Sequence, residues 1–286
     1  MRETPKTSQS ITADDVTKCR RERDVMLDLD AGTDATLRLL TWNLRFGAAN
    51  EQWSRLVDGG EFEVSFLQES LSPDDHSALW QAVPGRSWGS AVVVHDGELV
   101  PVPVPDFAGW VVGGIWSPPA GRPLMVASVH TPTGRGPYVE ETLSILDAIH
   151  QATPSGLDVV IGGDFNLLSF GERQEGESLQ TKPAERRVLH RVEELGLISA
   201  WPHAHPDAPL AQTLRWSGDQ TRPFHCDAIL LPMAWSPGVS CEVLEDEANA
   251  SDHLPVAATV TVPPPLAELP AEDHGYDRPA ITGPTR

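Results

Sequence analysis

Val159-Val160-Ile161-Gly162-Gly163 is an apolar run that closes on Asp164-Phe165-Asn166. Residues two apart in an extended chain project to the same side. A carboxylate and a carboxamide therefore leave this strand end together. The first can orient a water and the second can donate to a phosphate oxygen. The two glycines are expected to let a ligand come close to the backbone. Ser251-Asp252-His253-Leu254-Pro255 sets a second acid beside an imidazole. Asn43 follows Leu37–Trp42, Glu69 follows Phe62–Gln68, His130 follows Leu124–Val129, and Asp227 lies in the apolar stretch 224–231. Each residue alone has an ordinary explanation as a turn, a cap or a buried histidine. Their common placement at strand ends carries the weight, because ligand sites in layered α/β folds collect where strands end.

Those positions need elements to hold them. Alternating or continuous apolar runs predict strands over 37–43, 62–68, 110–116, 124–129, 158–163, 224–231, 238–244 and 254–262. The runs 88–95 and 98–104 read as a hairpin about Asp96-Gly97. Apolar residues at helical spacing predict helices over 139–151 and 184–197, and a short one over 50–57. Ser72-Pro73-Asp74-Asp75 reads as an N-cap with proline and acids in the first turn, so a helix is expected from there to about Val83. The loop 167–183 is long enough to suspect function. Residues 1–35 and 263–286 are polar and aperiodic and read as a disordered arm and tail. Many strands with four interspersed helices make the class mixed α and β.

Composition narrows the partners. The formal charge is −20, and each end contributes only −2, which leaves about −16 on 36–261. Such a surface repels polyanions, so loose coating of DNA is not expected, although a phosphoester held locally by a cation and a few arginines is compatible with it. Cys19, Cys226 and Cys241 have neither zinc nor disulfide-framework spacing. No run approaches the length of a membrane span. A monomeric cytoplasmic protein is the expectation. No GxGxxG, Walker A, GxSxG or HExxH pattern occurs, which removes support for dinucleotide, P-loop, serine-hydrolase and zincin chemistry. His203 and His205 stand at i, i+2 but have no third ligand nearby in sequence, so a solvated loop is the better reading.

Taken in order, Thr41-Trp42-Asn43, Leu67-Gln68-Glu69, Ser128-Val129-His130-Thr131-Pro132, Gly162-Gly163-Asp164-Phe165-Asn166, Cys226-Asp227 and Ser251-Asp252-His253-Leu254-Pro255 resemble the motif set of the endonuclease/exonuclease/phosphatase superfamily. That group includes deoxyribonucleases, abasic-site exonucleases, inositol polyphosphate 5-phosphatases and neutral sphingomyelinases. The resemblance covers residues 36–262 and implies a four-layered α/β sandwich of two packed sheets with helices outside. It implies hydrolysis of a phosphoester by water activated at Mg²⁺ or Mn²⁺. Oxygen ligands suit those cations, and the developing negative charge needs one.

By resemblance, Glu69 is the main metal ligand, with Asn43 and Asp252 assisting. Asp164 orients the water, Asn166 holds a phosphate oxygen, and His253, oriented by Asp227, donates to the phosphate. His130 contacts the phosphate or assists the leaving group. A tyrosine stands at that place in abasic-site nucleases, so the chain is more similar to the deoxyribonuclease and sphingomyelinase side. Arg45, Arg135, Arg215 and Arg222 are candidate phosphate contacts, and Trp216 is a candidate for stacking. Two alternatives stay open: the same site acting on a small or lipid phosphoester, with nucleic acid disfavoured by the charge, and a non-catalytic interaction module on the same fold.

Overall fold

The computed structural model describes residues 35–46, 59–73, 78–174, 176–177, 180–215, 224–247 and 250–263. The expected arm, tail and helix over 50–57, together with Trp216 and Arg222, lie outside the described residues. Twelve strands form two six-stranded sheets. The first is ordered β11 (Ser240–Val243), β12 (Val256–Val262), β1 (Ala35–Asn43), β2 (Val64–Ser70), β4 (Gly89–Val94), β3 (Ala78–Ala82). The second is ordered β5 (Glu98–Val102), β6 (Val111–Ser117), β7 (Leu124–His130), β8 (Asp158–Asp164), β10 (Asp227–Pro232), β9 (Leu197–Ser199). Both sheets are mixed. In each a central pair is parallel, β1 with β2 and β7 with β8, and the outer pairs are antiparallel.

The strand period of two assigns one face of each strand to the space between the sheets. Leu37, Leu39, Val64, Phe66, Val92 and Val94 from the first sheet meet Val112, Trp116, Val126, Val160 and Ile229 from the second, all buried. The other face of the second sheet is covered by α1 (Tyr138–Ala152) and α2 (Pro183–Glu194). Their apolar stripes, Ile145, Leu146 and Ile149 with Val188 and Val192, pack on Met125, Val129, Ile161 and Leu230. Helix α2 starts with proline at its first position, and the Glu185 carboxylate accepts from the Lys182 N–H at 3.1 Å. On the other face of the first sheet Leu40, Trp42, Leu67 and Ala91 are also fully buried.

Three expectations are corrected. Residues 78–82 form a strand: paired with β4, they turn Leu79 and Trp80 toward apolar neighbours, and that tertiary pairing outweighs the local helix-start signal at Ser72-Pro73. Asp96-Gly97 does not close a hairpin, because β4 and β5 belong to different sheets. Its turn is a corner between layers: Gly97 sits at φ 90°, where an added Cβ would lie 2.3 Å from the Ser117 carbonyl oxygen, and Trp116 Nε1 donates to the Asp96 carbonyl at 2.8 Å. Finally, the neighbours that need the room at Gly162 and Gly163 belong to the protein itself. A Cβ on Gly162 would stand 2.3 Å from the Phe66 ring, and one on Gly163 2.3 Å from the Val129 carbonyl oxygen. Gly162→Ala is therefore expected to destabilise by about 1–3 kcal/mol, the ordinary cost of overpacking. Thermal unfolding should show a lowered Tm, and an unchanged Tm would mean that the two sheets are not in contact there.

Candidate active site

The strand-end residues arrive at one edge of the sandwich, for a topological reason. Asn43 ends β1, Glu69 lies at the end of β2, and His130 and Asp164 end the parallel pair β7 and β8. Strand β10 runs antiparallel to β8 and β12 antiparallel to β1, so their beginnings lie at that same edge. Asp227 opens β10, and His253 lies just ahead of β12. In the second sheet His130, Asp164 and Asp227 are direct cross-strand neighbours.

Asp164 is the hub. It is buried, with 1% of its surface exposed. Its Oδ2 accepts from Asn43 Nδ2 at 2.9 Å, a contact between the two sheets, and its Oδ1 accepts from the Asn166 backbone N–H at 2.9 Å. His253 Nε2 stands 3.7 Å and His130 Nε2 3.9 Å from Asp164 Oδ2. Glu69 Oε1 lies 3.7 Å from His130 Nε2. The other nitrogen of His253, Nδ1, meets both Asp227 oxygens at 3.2 and 3.0 Å. Asp227 is held in turn: its backbone N–H donates to Thr213 Oγ1 at 3.2 Å, and that hydroxyl also accepts from the Cys226 N–H at 2.9 Å.

The backbone is shaped to aim these groups. Glu69 has φ 49° and Asn166 φ 52°, left-handed values uncommon for side-chain-bearing residues. Glu69 sits where the register of β2 against β4 slips between Leu67 and Ser70, so a bulge turns its carboxylate off the ladder. Asn166 gives one Nδ2 hydrogen to the Thr131 carbonyl at 2.9 Å, which leaves one amide hydrogen for another acceptor. Asp252 receives Arg45 Nη1 at 3.2 Å, and Ser251 Oγ donates to the Asn43 carbonyl at 2.8 Å, so β1 and the 251–253 turn are tied together.

Concentrating negative charge here moves the pKa values. Burial and the Asp164 charge raise Glu69 from its ordinary 4.5 to about 7. Burial opposes charging His253, yet the Asp227, Asp164 and Asp252 carboxylates outweigh it and lift the imidazole to about 10, so it is cationic at neutral pH. Burial dominates at His130, which falls to about 4 and is neutral; its Nδ1 is buried with no hydrogen-bond partner among the described residues.

Asp164, Asp227 and His253 each offer an atom within 4.8 Å of the others. A protonated imidazole has no lone pair to give a metal, so the trio is a poor cation site as it stands. The oxygens of Glu69, Asn43, Asp164 and Asp252 are the chemistry a hard divalent cation takes. A carboxyl raised to about 7 by burial and unbalanced charge is what such a cation would relieve.

Among the described arginines, only Arg45 has its side chain on this group. Arg135 Nη1 donates to the Asp106 carbonyl at 3.1 Å, and its guanidinium lies 5.5 Å from the Phe107 ring centre. Arg215 reaches the site by its backbone, donating N–H to the Asp252 carbonyl at 2.7 Å, and it lines a cleft with Trp201, Gln212 and Glu242. The solvated loop expected at His203 and His205 is corrected: His203 lies in a short helix over Ala200–Ala204 and half-buried His205 caps its end, their rings meeting the Ser236 and Cys241 carbonyls at 3.1 and 2.7 Å. Gln68 and Ser128, which stand in the sequence motifs without a role, form a buried bridge between the sheets, Gln68 Nε2 donating to Ser128 Oγ at 3.0 Å. Sequence reasoning misses the rings of Trp88 and Trp110, whose centres lie 5.8 and 5.1 Å from that of His130. A bulky ring just ahead of β4 and of β6 is the available signal.

No protein-family model matches the chain, and no curated protein matches it in sequence. Solved structures do match. The endonuclease domain of TRAS1, a telomere-specific non-LTR retrotransposon, superimposes with a TM-score of 0.60 at 15% identity, over 79% of this chain and 98% of that one. The 3′-5′ exonuclease NExo from Neisseria meningitidis gives 0.61 at 18% identity, over 78% and 98%. A single-residue variant of the 3′ phosphatase NExo from Neisseria, bound to a product DNA hairpin, gives 0.61 at 17%, over the same shares. The chain has the endonuclease/exonuclease/phosphatase fold. The twin sheets are those expected of a deoxyribonuclease I-like sandwich. Among the described residues, the long helices of this deoxyribonuclease I-like fold cover the second sheet.

Proposed function

We propose that the chain hydrolyses a phosphoester at the sheet edge where Asp164 meets Asn43, Glu69, His130 and His253. The observation that carries the reading is the convergence on Asp164: four strand ends and two strand beginnings deliver carboxylates, amides and imidazoles to one hydrogen-bonded group. Neighbours of the same fold include an endonuclease domain and a 3′ phosphatase bound to product DNA, which supports phosphoester hydrolysis as the reaction class.

In this reading Glu69, Asn43 and Asp252 hold Mg²⁺ or Mn²⁺, which when bound would supply positive charge to the phosphoryl oxygens. Asp164 orients the attacking water and takes its proton. Asn166 gives its remaining amide hydrogen to a phosphate oxygen. The cationic His253 stabilises the developing charge, held by Asp227. Neutral His130 donates from Nε2 toward the ester oxygens. The decisive assay incubates the purified chain with Mg²⁺ or Mn²⁺ and bis-p-nitrophenyl phosphate, plasmid DNA and a phospholipid diester. Hydrolysis of none of them with either metal would overturn the reading, and calorimetry without metal uptake would favour a non-catalytic module.

A small or lipid phosphoester is the favoured substrate, because a net charge of −20 and a single described arginine on the site group give a polyanion little to hold. DNA binding should then stay undetectable down to low salt, whereas a nuclease should bind with a steep salt dependence.

Glu69 makes a further prediction. Its folded pKa lies above the ordinary 4.5, so in metal-free protein the protonated carboxyl is the form the fold favours. The penalty of ionising it is absent below about pH 4.5 and grows as pH rises toward about 7. A cation on that carboxylate must displace the proton. At pH 6, Mg²⁺ or Mn²⁺ uptake is expected to release about one proton, read by calorimetry in buffers of different ionisation enthalpy. Release should fade above about pH 8 and vanish in Glu69→Gln. Uptake without proton release at pH 6 would remove Glu69 from the ligand set.

A further inference from the structure

Beside the carboxylates stands a chain of rings that the proposed chemistry does not use. Trp110 packs on His130, Trp88 packs on both Trp110 and His130, and Phe46 packs on Trp88 at a centroid distance of 5.3 Å. The innermost ring is fixed from several sides. The Trp110 carbonyl accepts from the His130 N–H at 2.8 Å and from Ser90 Oγ at 3.2 Å. The outermost ring is 54% exposed, a large apolar group in water at the mouth of the site. It is also held there at some cost. Arg45 and Phe46 are consecutive residues with φ 45° and 64°, a left-handed pair that a bulky side chain rarely adopts. The turn is pinned by Asn43 Oδ1, which accepts the Arg45 N–H at 3.0 Å, and by the Arg45–Asp252 ion pair. Asn43 and Asp252, which fix Phe46 in place, are thus themselves proposed metal ligands.

We infer that Phe46 and Trp88 form a subsite for a planar aromatic group of the substrate, an aryl ring or nucleobase carried on the ester next to the scissile phosphate. The inference rests on the phosphoester reading above. Continuity supplies the occupant: from Asp164 the path runs through His130 to Trp88 and then Phe46, each beside the next. A substrate whose phosphorus lies over the carboxylates projects its substituent along that path. The spacing decides the shape. Neighbouring rings tilted by 58° and 84° at 5.3 and 5.6 Å pack on one another. They leave no slot between them for a quaternary ammonium, which an aromatic cage would need. What remains is the exposed surface of Phe46, 54% open to solvent, on which a planar group can stack. Charge points the same way, since Arg45, the described arginine on the site group, is spent on Asp252, and stacking needs no cation.

The test compares phenyl phosphate with cyclohexyl phosphate, equal in charge and near in size but different in π face. Each is titrated by quenching of tryptophan emission and as a competitor of bis-p-nitrophenyl phosphate hydrolysis. Phenyl phosphate is expected to bind about tenfold more tightly, of the order that a base–aromatic stack provides. Phe46→Ala should narrow that ratio to within about twofold, and Phe46→Tyr should keep it. A ratio near one in the unaltered chain, a ratio unmoved by Phe46→Ala, or tighter binding of phosphocholine than of phenyl phosphate would each overturn the subsite. Hydrolysis without aryl preference sinks the subsite alone. Aryl preference without hydrolysis sinks the reaction alone, and the absence of both sinks both.

Discussion

Asp164→Asn is expected to lower kcat for bis-p-nitrophenyl phosphate by about 10²–10⁴-fold, the range that a positioned general base contributes, with little change in KM. The residue is buried and its two oxygens are already spoken for, one by Asn43 Nδ2 and one by the Asn166 N–H. An asparagine keeps one acceptor and turns the other into a donor that faces a donor. The local loss is about 1 kcal/mol for one hydrogen bond. Removing the Asp164 charge relieves Glu69 but also withdraws one of the carboxylates that keep buried His253 charged. A lowered Tm is therefore expected, and circular dichroism at the assay temperature separates lost chemistry from lost structure. The variant's Glu69 should titrate below the parent's value of about 7, detectable as a smaller proton release on metal uptake at pH 6. Activity close to that of the parent would remove Asp164 from its role as base.

How far the placement of these residues can be read without coordinates depends on the scale of the signal. Asn43, Glu69, His130 and Asp164 are legible as positions because each follows an apolar run, and run ends are local features, whereas Asp227, inside the stretch 224–231, and His253, ahead of 254–262, stand out only by their motifs. That β10 and β12 run against their neighbours, bringing Asp227 and His253 to the edge where Asp164 lies, is a matter of strand order, which periodicity does not carry. The same gap explains Asp96-Gly97. A turn signal says that the chain reverses, not whether the flanking strands then pair. Residues 78–82 mislead because a helix-start pattern is local, whereas the pairing of Ala78–Ala82 with β4 is not. Paired glycines at a strand end read as room for a ligand, when the neighbour needing room at Gly162 is Phe66 from the opposite sheet. Trp88, Trp110 and Phe46 leave no trace as a group, since only the fold makes them adjacent.

Asp227→Asn is expected to cost about 10²–10³-fold in kcat although the residue stands behind His253, because its effect is exerted through that imidazole. At neutral pH the buried ring is cationic only because the carboxylates outweigh its burial, Asp227 foremost among them. With that charge removed, burial wins and the His253 pKa should fall from about 10 toward or below neutrality. The sign of the stability effect follows. In metal-free parent protein the raised His253 pKa contributes stability that is fully present below about 6.5 and lost as pH rises through about 10. A tenfold change in proton affinity is about 1.4 kcal/mol, so the rise is worth a few kcal/mol, reduced by the cost of ionising Asp227, which burial raises to about 6. Denaturant midpoints of the parent chain in EDTA should therefore decline as pH climbs from neutral through about 10, and those of the variant should be flat there. An NMR titration of the His253 ring should move with them. Should the ring still titrate near the parent's value in Asp227→Asn, Asp164 rather than Asp227 would be what keeps it charged, and the activity loss would then have to be small.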